Sequence, residues 1–125
     1  MAAPNIVGVT TITGKTTTNS LSDTSATAIV SNPASSNKVF KINTIIVSNI
    51  DGTNTANITV NVHPEDDGGG TGVPIASTID VAADSTLVVL DKASSIYLEE
   101  DKSITATASA GGDLSVVCSY EEISD

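Results

Sequence analysis

Along most of this chain apolar and polar residues alternate one for one, and no stretch repeats its apolar residues at helical spacing. In ANITVNV, residues 56–62, Ala56, Ile58, Val60 and Val62 hold one parity, and Asn57, Thr59 and Asn61 hold the other. Successive side chains of a strand point to opposite faces, so this pattern specifies a half-buried strand. Thr, Val and Ile fill such segments, and their branched Cβ suits a pleated surface. The core they build must be aliphatic, because the chain has no Trp, one Phe (Phe40) and two Tyr (Tyr97 and Tyr120).

The alternation is cut into short pieces by turn-forming clusters. Residues 5–13 read as a strand, with Ile6 and Ile12 on one face and Val7 and Val9 on the other. Residues 14–23 read as a loop or an exposed edge strand. Ala26, Ala28 and Val30 alternate before the turn cluster at 32–37. The segment 37–50 is the most apolar, and its inward face switches near Asn43, as a bulge would allow. Asp51-Gly52 then carries a hairpin signal toward 56–62. Pro74 confines the strand marked by Val73, Ile75, Ile79 and Val81 to an edge or a strand start. Thr86–Leu90, Ile96–Leu98, Ser103–Ala108 and Leu114–Tyr120 complete the series. The predicted fold class is all-β: a single antiparallel β-sandwich, Ig-like or jelly-roll-like, of about eight short strands. The 125 residues suit one domain. Residues 1–24 form an N-terminal strand and Thr/Ser-rich segment available as an assembly arm, and 25–125 form the sandwich.

The net charge is −10, from 15 acids against 5 Lys with no Arg. Such a polyanion does not neutralise phosphates, so nucleic acid is not an expected partner. An anionic membrane surface repels it as well. No apolar run reaches the length of a membrane span or a signal sequence. Synthesis in a cytosol is therefore expected. Cys118 is the single cysteine, so no intrachain disulfide forms; it alternates with Leu114, Val116 and Tyr120 and reads as a buried thiol.

The segment HPEDDGGGTG, residues 63–72, looks most like chemistry. It holds the single histidine, three consecutive acids and four of nine glycines. Calcium-loop spacing is absent, and zinc needs more His, Cys or acid ligands than His63 and a distant Cys118 supply. A phosphate cradle needs a helix and usually a Lys, whereas Asp66 and Asp67 repel phosphate. The segment therefore reads as a solvated loop whose acids Glu65, Asp66 and Asp67 are candidates for touching a partner. Glu99-Glu100-Asp101 reads as a solvated acidic turn. No G-x-S-x-G elbow is present. No catalytic residue, metal ligand or cofactor is assigned, and a non-enzymatic role is expected. Threonine-rich faces can order water or glycans, but the shortage of aromatics weakens a sugar-binding reading.

The combination NTIIVSNIDGTNTANITV (43–60) and IDVAADSTLVVLDKASSIYLEEDKSITATASAGGDLSVVCSYEEIS (79–124) resembles small virion structural proteins of tailed bacteriophages, notably those of marine cyanophages. The matching motifs are Asp51-Gly52-Thr53, Ser85–Leu90, Tyr97–Glu100 and Ser119–Ile123, within residues 37–124. Where such proteins often carry Gly after the two glutamates, this chain has Asp101, which also tolerates a left-handed turn. The resemblance implies a virion location, made in the bacterial host cytoplasm, with capsid decoration (cement) as the leading role. Tail, neck or fibre association, or host adhesion, is the alternative. Its implied partners are other virion proteins, first the major capsid protein, and further copies of itself as a trimer or dimer. The N-terminal segment, through Ile6, Val7, Val9 and Ile12, is the leading candidate for intermolecular pairing with a neighbour's sheet edge.

Overall fold

In the computed structural model, which describes residues 4–125, the alternating segments become nine strands. They are β1 (Thr11–Ser20), β2 (Thr27–Asn32), β3 (Lys38–Asn49), β4 (Ala56–His63), β5 (Val73–Val81), β6 (Thr86–Leu90), β7 (Ile96–Leu98), β8 (Lys102–Ala108) and β9 (Leu114–Ser124). One sheet runs β1-β9-β3-β6, with β7 also pairing with β3; the other runs β2-β8-β4-β5. Every pairing is antiparallel. The predicted sandwich is thus present, and its strand order is that of a jelly roll with β7 added. Among the described residues no helix is long and apolar enough to cross a membrane.

The inner faces meet in a core drawn from both sheets. Ile42, Ile45, Val47 and Cys118 come from one, and Ile58, Val60, Ile104 and Ala106 from the other; all are fully buried. Phe40 and Tyr120 supply an aromatic pair with ring centroids 5.0 Å apart. The face switch in β3 occurs where expected. The register against β9 shifts between Ile42 and Thr44, so Phe40 and Ile42 point inward before it and Ile45 and Val47 after it.

Two local expectations are corrected. Asp51-Gly52 does not close a hairpin, because β3 and β4 lie in different sheets. The Asp51 carboxylate accepts from the Thr53 and Asn54 amides, and its carbonyl accepts from the Asp84 amide. These bonds turn the chain across the end of the sandwich, which a two-residue hairpin would not do. The strand expected over 5–13 begins only at Thr11, while the segment read as a loop or edge is the strand. Asn5 explains the shift. Its side-chain oxygen accepts from the Val7 amide and its carbonyl from the Gly8 amide, making a turn that competes with strand pairing. Residues 1–3 of the expected assembly arm lie outside the described residues.

Candidate functional site

The loop after β4 is pinned onto the sandwich. His63 ends β4 opposite Ser103, on the outer face of its sheet. It is buried there, with its Nε2 2.9 Å from the Thr105 hydroxyl oxygen. The Ser103 hydroxyl donates to the Glu65 carbonyl and accepts from the Gly68 amide, each at 2.8 Å. Ser31 accepts from the Asp67 amide, and Asp101 from the Asp66 amide. These bonds hold a single 3-10 turn, Asp66–Gly68, against β2 and β8, with Asp67 in the left-handed region. Glu65 and Asp67 are exposed and Asp66 is half-buried. The histidine thus packs beneath the loop, while the acids lie along its surface. Among the described residues no three His, Cys, Asp or Glu side chains gather as a metal site would require.

Cys118 lies in the opposite sheet, facing the core. Burial pushes its thiol up to about 12, which keeps it protonated. The fold therefore does not bring Cys118 and His63 together.

The N-terminal candidates divide. Val7 (93% exposed), Ile6 (52%) and Ile12 (58%) are open to solvent, and Val9 is half-buried. Ile6 and Val7 sit in the Asn5–Gly8 turn, whereas Ile12 belongs to β1. β1 forms one edge of its sheet and pairs with β9 from Thr11–Ser124 to Ser20–Ser115 without a register shift. Glu122 of β9 ties it down: one carboxylate oxygen meets Lys15 Nζ at 2.8 Å and the other meets Lys38 Nζ at 2.6 Å. The hydrogen bonds from Lys15 and Lys38 hold the Glu122 carboxyl below its usual range.

Register assembles a surface that sequence reasoning missed. On the outer face of the β1 sheet, one cross-strand row is Ser20, Ser115, Ser48 and Thr86. The next is Thr18, Val117, Ile46 and Val88, and the third is Thr16, Ser119 and Thr44. None of these residues is charged, on a chain of net charge −10. Val88 and Val117 are exposed within the middle row. The alternation was visible in each strand, but the adjacency depends on pairing order, which alternation does not encode.

The result is an acidic jelly roll whose β1 sheet carries three uncharged outer rows, bordered by a row with Glu121 and Lys41, beside one long strand edge. No family model matches the chain, and no curated protein matches it. Solved structures share its fold. A chain from Bacillus endospore appendages, described as a family of disulfide-linked pili, has a TM-score of 0.54 and 19% identity. That match covers 94% of this chain and 91% of the other. A chain from the acidic stable capsid of Helicobacter pylori bacteriophage KHP30 has a TM-score of 0.50 and 8% identity, covering 93% of this chain and 90% of the other. At these identities the likeness is one of fold.

Proposed function

We propose that this chain is a non-enzymatic structural protein of a bacteriophage virion, attached to the outer capsid surface where it reinforces contacts between capsomers. The observation that carries the reading is the three uncharged cross-strand rows on the outer face of the β1 sheet, beside an open strand edge, on an acidic domain. Charge keeps free copies apart in solution, and these neutral rows are where contact costs least desolvation of ions. The motif resemblance over residues 37–124 supports a virion setting. The jelly roll shared with the KHP30 capsid chain is compatible with it, although a fold alone does not assign a role. Many copies on a lattice gain by avidity, so each contact can be small.

The exposed side chains Ile6, Val7 and Ile12, with Val9, and the loop acids Glu65, Asp66 and Asp67 are the proposed contacts to other virion proteins. The test is to add purified protein to parent particles lacking it and locate the added density by electron microscopy. Density at capsomer junctions is the expected result. Density confined to the tail, neck or fibres, or no binding together with saturable glycan binding, would overturn the decoration role.

A further inference from the structure

A jelly roll of two open sheets has four edges, and three of them are protected here. β5 carries Pro74, two register shifts against β4 and a left-handed Thr78. β2 has a register shift between Ala28 and Val30, and Ser31 near its end holds the loop after β4. The flank of β3 is shared by β6 and β7, of five and three residues, with a further shift opposite Ile45 and Ile46. Bulges, prolines, short strands and edge charges, Lys above all, are the devices by which folded proteins block edge-to-edge pairing. β1 lacks the first three, and the one charge it carries, Lys15, is neutralised by Glu122. It is ten residues long, in unbroken register, and every residue but Thr17 and Asn19 is exposed. On alternate residues its amides and carbonyls point away from β9, and among the described residues no strand receives them.

We infer that β1 pairs with β1 of a second copy of this chain, antiparallel about a two-fold axis, joining the two sheets into one. A second β1 is the occupant this edge fits. No other edge of the same fold offers a regular strand of that length. β1 is also free of acid in a chain with 15 of them; its single charge, Lys15, is held by Glu122.

Symmetry and charge select the register. A two-fold axis perpendicular to the sheet places some residue opposite its own copy. Centring on Lys15 sets two ammonium groups face to face, which is unfavourable. Centring on Gly14 shortens the overlap to Thr11–Thr17. Centring on Thr16 keeps Ile12–Ser20 paired and sets Lys15 opposite Thr17. It also joins the uncharged Thr16 row to its own copy across the junction.

This pairing does not depend on where the protein sits on a virion, and the experiment keeps the two apart. Sedimentation of the purified chain is expected to show a dimer that strengthens as salt is raised, because two copies of net charge −10 repel and salt screens them. A contact held by attraction between opposite charges would weaken instead. Thr16→Cys is expected to form a covalent dimer on oxidation, since directly opposed Cα atoms lie about 4.5–5.5 Å apart. Thr13→Cys, opposite Asn19 in this register, is expected to stay monomeric under reducing-free electrophoresis, and buried Cys118 leaves the parent chain unlinked. Thr16→Glu is expected to abolish the dimer with an unchanged far-ultraviolet spectrum. A parent chain that remains monomeric at all salt concentrations overturns the inference. So does cross-linking of Thr13→Cys as efficient as that of Thr16→Cys, or failure of both. Retention of Thr16→Glu on capsids would leave the virion role standing.

Discussion

Asn32 and Asn49 fasten the two sheets together from opposite ends of β3. Asn32, on β2, donates from Nδ2 to the carbonyls of Lys38 at 2.9 Å and Leu98 at 3.0 Å, both in the other sheet. Asn49, the last residue of β3, donates to the carbonyls of Asn54 and of Val81 on β5, each at 2.9 Å. Each side-chain oxygen is also satisfied, by the Ser36 hydroxyl and the Asp51 amide respectively. Both asparagines are buried, and so are their bonds to Leu98 and Val81, so those two carbonyls have no water to fall back on.

Replacing Asn49 by Ala strands the buried Val81 carbonyl and removes the bonds to the Asn54 carbonyl and the Asp51 amide. The expected cost is about 2–3 kcal/mol, given the desolvation penalty of unsatisfied groups. Urea unfolding should show a lower midpoint with an unchanged slope. Asn32→Ala is expected to behave alike, and additively, because the two sites share no partner.

Glu122→Gln removes the charge that bridges Lys15 of β1 and Lys38 of β3. The lysines are partly exposed, so a loss of about 1 kcal/mol is expected. The depressed pKa fixes the sign of the pH effect. The folded state holds fewer protons than the unfolded one below the ordinary value of 4.5, so the contribution is complete above that pH and fades as pH falls through the folded value. Thermal melts from neutral to acid should show the two proteins converging.

Cys118 works at the opposite end of the scale. Its unfolded thiol ionises near 9.0, but the folded thiol is pushed up to about 12. Between those values the folded state holds one more proton, so stability is full below about pH 9 and declines as pH rises, at roughly 1.4 kcal/mol per pH unit. Tyr120, raised by burial, adds to the decline. Cys118→Ala should be less stable at neutral pH yet show a shallower alkaline limb.

Two glycines should respond in opposite directions. A Cβ at Gly72 would lie 2.9 Å from Asn61 Cβ and from the His63 ring, so Gly72→Ala should cost about 1–3 kcal/mol. A Cβ at Gly14, on β1, meets nothing within 4 Å. Gly14→Ala should therefore stabilise by about 0.5 kcal/mol through lower backbone entropy in the unfolded chain. Calorimetry of both variants checks the pair.

Alternation alone carried the reading of β3, β4 and β8, because Val, Ile or Ala marks the core-facing residues of each. The bulge near Asn43 was legible for the same reason: the buried parity changes there. Sheet membership was not. Asp51-Gly52 has the composition of a hairpin, and the Asp51 side-chain bonds that send the chain to the other sheet look no different in sequence. The start of β1 was hidden by Ile6 and Val7, whose apolar character suggested a strand where Asn5 makes a turn. The loop acids were found by composition, but their pinning by Ser31, Ser103 and Asp101 joins residues from separate strands, which no local pattern announces.

The inaccessible thiol also bears on how any assembly of this subunit lasts. With its one thiol locked in the core, the domain has no disulfide to offer a neighbour, in contrast to appendages whose pili are disulfide-linked. Whatever it builds is held without a disulfide through Cys118. Such a structure should tolerate reductants and oxidants alike, and its durability should be set by copy number and geometry.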